Sequence, residues 1–141
     1  MKLDEFTIGD VFETKSYKLT KEDIMRFAGE FDPQYMHIEE EKATQGIFNG
    51  IIASGIHTLS ISFKLWIEEG FFGDDIIAGR GMNNIKFIKP VYPNEELYTI
   101  AEVIDKRAIK KEAGLITIRL STYNNKKEKV FKGDFSALIK R

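Results

Sequence analysis

The 141-residue chain is expected to fold as an α+β domain, an antiparallel sheet wrapped around one long buried helix. Three observations carry that expectation. The style of the sequence changes near residue 75, with glycine-punctuated helical patterns before it and strand patterns after it. Residues 55–69 are apolar around much of a helical circumference, as in a helix buried on most sides. Four strand candidates then follow one another, separated by turn signals.

The elements read in order. Residues 11–19 form a first strand, stopped at Thr20, where Thr-Lys-Glu-Asp has the form of a capping box. Ile24, Phe27 and Ala28 then recur at helical spacing, predicting a short amphipathic helix over 21–30. Pro33 biases Asp32 away from helical backbone and turns the chain. A second short helix is expected over 38–43. Glycines punctuate 46–55 around the apolar run Ile51-Ile52-Ala53. In the long helix, Ile56, Leu59, Phe63 and Trp66 or Ile67 mark one face, and Gly70 caps its end. Strands are expected over 76–87, 96–106, 115–123 and 130–139. Pro90-Val-Tyr-Pro93-Asn94, Glu112-Ala-Gly114 and Asn124-Asn125 separate them, and such short connections predict antiparallel neighbours.

Composition excludes several function classes. A formal net charge of −1 gives no bulk attraction to nucleic acid or to an anionic membrane. With no cysteine there is no disulfide, thiolate chemistry or cysteine-ligated metal. The acidic start MKLDEFTIGD lacks the apolar run of a signal peptide, and no stretch reaches membrane-spanning length, so a cytoplasmic location is expected. The chain holds only two histidines, His37 and His57. They lack regular ligand spacing and a third partner, so no metal site is expected.

His37 stands five positions after Asp32 in FDPQYMH. Their surroundings, FAGEFDPQYMHIEEEKA at 27–43, resemble the signature of the MaoC-like, R-specific enoyl-CoA hydratases. That signature places an aromatic-Ala pair before an Asp, a His five residues later and a small residue six beyond it; here these are Phe27-Ala28, Asp32, His37 and Ala43. FNGIIASG at 48–55 is similar to the family's F-G-G-x-I-A-x-G segment, and KFIKPVYPNEEL at 86–97 to its strand leading into a P-V-x-P-G-D turn. The departures are Glu30-Phe31 for a small-Gly pair, Pro33-Gln34 for Asn-Pro, and Asn49 and Asn94 for glycines. Asn tolerates left-handed backbone, which makes the last two mild.

The resemblance implies a hot-dog fold and hydration or dehydration at the 2,3 bond of an acyl thioester, with (R)-3-hydroxy stereochemistry. Asp32 and His37 would be the catalytic pair holding a water, and either can be its base. The Gly55 N–H, at a helix start, is the candidate oxyanion donor. Phe31, Tyr35, Ser54, His57 and Arg80 are the further substrate-contact candidates. Phe31 would narrow the pocket, and Tyr35 would sit at its rim. Ser54 is read first as a helix cap and second as a substrate contact. His57 is read first as a hydrogen-bonded core histidine. Arg80 and Lys86 would either reach the phosphates of a pantetheine-linked carrier or face water, and Phe63 and Trp66 join the candidates for an acyl channel. No cofactor is expected, since coenzyme A or acyl carrier protein would belong to the substrate. A homodimer or dimer of dimers is expected, because a single sheet around one helix leaves a face to cover. Two alternatives are a hot-dog acyl-CoA thioesterase and a non-catalytic acyl-thioester-binding subunit, the latter favoured by Phe31.

Overall fold

The computed structural model describes residues 1–141. Strand β1 (Val11–Lys18) is followed by helix α1 (Lys21–Phe31), two short helices, α2 (Tyr35–Ile38) and α3 (Glu40–Gln45), and the long helix α4 (Gly55–Glu68). Strands β2 (Ile76–Phe87), β3 (Glu96–Ala108), β4 (Ala113–Tyr123) and β5 (Lys129–Lys140) complete the chain. Thr20 caps α1 by accepting from the Asp23 N–H at 3.2 Å, while the Asp23 carboxylate pairs with Arg26 instead of closing a capping box. The helix expected over 38–43 is two helical turns divided at Glu39, whose backbone is extended (φ −115°, ψ 94°). Asn49 and Asn94 do adopt left-handed backbone (φ 58° and 70°), so they do the conformational work of glycine.

All strands pair antiparallel in the order β1-β3-β4-β5-β2. The expectation that consecutive strands are neighbours holds for β3, β4 and β5 and fails for β2, which pairs with β5 at the far edge. The reason is the route of residues 88–95. Ile88 N–H donates to Val130 O at the start of β5 (2.8 Å), Val91 O accepts from Ala53 N–H beside α4 (2.8 Å), and Asn94 N–H donates to Leu19 O after β1 (2.6 Å). The turn signal from Pro90 to Asn94 therefore belongs to a crossing that passes the start of α4.

Helix α4 lies on one face of the sheet. Ile61, Leu65 and Trp66 join Val103, Ile116, Ile118, Leu120, Phe135 and Ala137 in a single apolar core. The expected face of α4 needs correction: Ile56 is 50% exposed and Ile67 is exposed too, whereas Thr58 and Ser62 are buried. Apolarity alone missed these two positions because small hydroxyl side chains also fit against a sheet, and the Ser62 oxygen finds partners there. Ser62 Oγ meets Thr122 Oγ1 at 2.5 Å, and Thr122 meets Thr99 Oγ1 at 2.7 Å. Trp66 packs among Phe12, Phe71 and Phe72, and Phe63 meets the Phe135 ring edge-on at 4.8 Å. No helix is long and apolar enough to cross a membrane.

Candidate active site

The turn after α1 builds the first half of the site. Asp32 ends that helix, its N–H donating to Ala28 O at 2.8 Å, and ahead of Pro33 it takes non-helical backbone (φ −153°, ψ 71°). Helix α2 then brings His37 back, so that His37 Nε2 lies 3.3 Å from Asp32 Oδ2. The His37 side chain is 7% exposed. Its Nδ1 lies 2.6 Å from Ile52 O, a carbonyl that can only accept, so Nδ1 carries the hydrogen and Nε2 is the nitrogen left for Asp32.

The stretch before α4 supplies the second half. Ser54 Oγ donates to Asp32 Oδ2 at 2.6 Å and accepts from Ile56 N–H at 3.3 Å, so one hydroxyl both caps α4 and holds the carboxylate. Gln34 Nε2 donates to the other oxygen, Oδ1, at 2.7 Å. Burial works against the Asp32 charge, but the Ser54 and Gln34 hydrogen bonds, joined by His37 when it is protonated, outweigh it and hold the carboxyl below the usual carboxylate range. The Gly55 N–H has no hydrogen-bond partner in the protein, as expected for a first-turn amide.

His37 and Gly55 both line a cavity of about 340 Å³, walled mainly by Phe48, Ile52, Phe87, Val91 and Val130, with Thr58 and Lys89 as its further polar side chains. The Phe87 ring lies where a Cβ on Gly55 would stand, 2.7 Å from that position. Only glycine lets the ring and the helix start approach so closely. Apolar walls with a few convergent polar groups are the usual make-up of a small-molecule site.

Several candidates fall elsewhere. Phe31 is 64% exposed and its ring lies tilted at 50° against that of Phe27; with His57 it lines a separate depression beside Asp23, Arg26 and Glu30. Phe31 therefore does not narrow the His37 cavity. Tyr35 is exposed, its hydroxyl near Gly46, and is not at the rim. His57 is buried and stacked on Phe27 (4.3 Å, 6° between planes), but its Nδ1 has no hydrogen-bond partner, which corrects the expected hydrogen-bonded histidine. Burial pushes its pKa down from the ordinary value; Asp23 acts upward against this and Arg26 adds to it.

Arg80 lines a depression with Thr117, Asp134 and Ser136, on the sheet face opposite the core positions Ile116, Ile118 and Phe135. Lys86 is exposed on β2, and Phe63 and Trp66 belong to the core packing described above, not to the cavity wall. The residues missed were Phe87, Lys89, Phe48 and Thr58. Phe48 stood within FNGIIASG and Phe87 and Lys89 within KFIKPVYPNEEL, while Thr58 was marked by its i+3 spacing from Gly55; Phe87 and Lys89 reach the helix start through the crossing.

Comparison with known proteins places this geometry. The model of the MaoC-like domain matches residues 5–124. The uncharacterized protein YdeM of Bacillus subtilis (strain 168) is 71% identical over 141 residues, all of both chains. The MaoC-like dehydratase from Rhodospirillum rubrum superposes with a TM-score of 0.90 at 29% identity, covering 100% of this chain and 97% of that one. The R-hydratase PhaJ1 from Pseudomonas aeruginosa shares the fold, with a TM-score of 0.75 at 20% identity over 98% of this chain and 84% of its own. With its five-stranded antiparallel sheet around α4, this hot-dog chain belongs to the MaoC-like dehydratase domain family.

Proposed function

We propose that the protein is a hydro-lyase that adds water across the 2,3 bond of a trans-2-enoyl thioester to give the (R)-3-hydroxyacyl thioester, or runs the reverse. The observation that supports it best is that His37, with Asp32 3.3 Å behind its Nε2, and the unpaired Gly55 N–H meet on one apolar cavity, which Asp32 reaches through His37 and does not itself line. No cofactor is required; coenzyme A or an acyl carrier protein enters as part of the substrate.

A water held between Asp32 and His37 lies within reach of both. With Nδ1 committed to Ile52, His37 Nε2 takes the water proton as the oxygen bonds to C3. The electrons of the 2,3 double bond move toward the thioester carbonyl, and the Gly55 N–H receives the charge that builds on its oxygen. The proton on Nε2 then passes to C2 as the carbonyl re-forms. Asp32, kept ionised by Ser54 and Gln34, orients the water and stabilises the imidazolium. One catalytic face supplies both oxygen and proton, so the addition is syn.

We also infer that two copies pair along β2. This twelve-residue edge strand is exposed along nearly its whole length, with Ile77, Ile85 and Phe87 bare and Ile56 of α4 bare nearby. A cytoplasmic location fits the composition.

The test is a panel of trans-2-enoyl-CoAs of short, long and branched chains, followed by loss of enoyl absorbance. Turnover of at least one, abolished in Asp32→Asn, is the expected result. Free thiol released with the enoyl group intact would identify a thioesterase instead. Binding without turnover would indicate a non-catalytic subunit, a reading weakened by Phe31 lying outside the cavity.

A further inference from the structure

One hydroxyl in the cavity has no assigned task. Of the four hydroxyl side chains from Ser54 through α4, three are engaged: Ser54 with Asp32, Ser60 with Ile56 O at 2.9 Å, and Ser62 with Thr58 O and Thr122. Thr58 forms no side-chain hydrogen bond, although it is only 3% exposed. A buried helical threonine ordinarily turns its oxygen to the carbonyl three or four residues back. The Ser54 carbonyl that would serve already accepts from the His57 and Thr58 N–H groups. The sealed polar side-chain atoms without partners are His57 Nδ1 and Trp66 Nε1. The Thr58 oxygen is not among them, so it opens onto the cavity that Thr58 lines.

Its position indicates what it meets. Thr58 is three residues beyond Gly55, on the same side of α4, and helical side chains lean toward the N-terminus. The side chain therefore leans over the first turn of α4, on the side of Gly55, whose N–H is free. Of the other polar side chains lining the cavity, His37 is bound to Ile52 O and faces Asp32, and Lys89 pairs with Glu128 at 2.6 Å. The walls beside Thr58, Val91 and Val130 among them, are apolar.

We propose that the Thr58 hydroxyl is a second donor to the thioester oxygen, beside the Gly55 N–H. A carbonyl oxygen has two lone pairs, and a donor on each both orients the thioester and shares the charge of the enolate. This rests on the acyl-thioester reading of the cavity, and it makes Thr58 a catalytic contact.

Thr58→Val keeps the shape and removes the hydroxyl; Thr58→Ser keeps the hydroxyl. With an enoyl-CoA that the wild type hydrates, Thr58→Val should lower kcat about 10²-fold with KM changed less than about threefold, as for loss of one oxyanion donor. Thr58→Ser should stay within about fivefold of wild type. Equal kcat in Thr58→Val and wild type would overturn the proposal and leave the hydratase reading intact.

The second arm needs no turnover. Infrared spectra of bound butyryl-CoA labelled with carbon-13 at the carbonyl should show a band lowered by wild type and Thr58→Ser, and returned part-way in Thr58→Val. That result from a wild type that hydrates nothing would sink the hydratase and keep the Thr58 contact. A band unchanged by Thr58→Val, or no binding of butyryl-CoA by wild type, overturns the contact. Thr58→Ala replaces the valine variant in both arms if the latter does not fold.

Discussion

The two histidines show how the same side chain is put to different uses on two sides of one helix start. His37 has a partner at each nitrogen, Ile52 O and Asp32, and it lines the cavity that Gly55 also lines. His57 lies flat on Phe27 with Nδ1 unpaired, in a depression ringed by Asp23, Arg26 and Glu30. Both are more than nine-tenths buried, so burial does not distinguish them. What distinguishes them is that one imidazole is held in a single tautomer with a carboxylate at its free nitrogen, the arrangement proton transfer needs.

The sharpest way to break this contrast is to exchange the fates of the two residues. His37→Gln should lower enoyl-CoA turnover by about 10²–10⁴-fold, while His57→Phe, which preserves the stack on Phe27, should leave kcat within a few-fold. Steady-state rates on the same substrate check both. Equal losses would mean that the two depressions do not differ in function.

Next in size is the helix start. Gly55→Ala puts a methyl group into the Phe87 ring, so Phe87 must move into the cavity or the helix must recede. The expected cost is about 10²-fold in kcat/KM, the scale of an ångström-sized misplacement. Gly50→Ala, where no atom lies within 4 Å but φ is +154°, controls for a general effect of glycine loss.

Ser54→Ala should act on both the Asp32 carboxylate and the start of α4. Loss of the cap and of the hydrogen bond to Asp32 should cost about 1–3 kcal/mol in a denaturant titration. Because Asp32 is held below its ordinary pKa partly by Ser54, its pKa should climb in the variant. The acid limb of the pH–rate profile should then move to higher pH; an unmoved limb would remove Asp32 from that titration.

The smallest effect belongs to His57. Its folded-state pKa lies below that of the unfolded chain, so the unfolded state takes up the proton first. Its contribution to stability is complete above the ordinary imidazole pKa of about 6.5 and is lost as pH falls through the lower folded value. Wild type should therefore lose more stability than His57→Phe between neutral and mildly acidic pH, by no more than about 1.4 kcal/mol per pH unit.

The local parts of this account were readable in the sequence, and the long-range ones less so. Proline after Asp32, glycine at the start of α4 and the capping threonine at 20 each act on their own neighbours, and the limits of α1 and the start of α4 followed from them. Phe31 was misplaced because adjacency to Asp32 says little at a helix end, where successive side chains diverge by about 100°. The Ser54 bond to Asp32 and the Ile52 carbonyl on His37 join residues 22 and 15 positions apart. No periodicity encodes such contacts. The edge position of β2 was missed for a related reason: residues 88–95 carry turn residues but are spent on crossing the molecule, and that crossing delivers Phe87 and Lys89 to the site.

The face on which water is added offers the most direct test. Hydration of crotonyl-CoA in deuterated water should give (3R)-3-hydroxybutyryl-CoA with one deuteron at C2, on the same face as the new hydroxyl, since Asp32 and His37 serve one side of the substrate. An (S) product would contradict the (R)-hydratase reading, and a deuteron on the opposite face would contradict the assignment of both proton transfers to that pair.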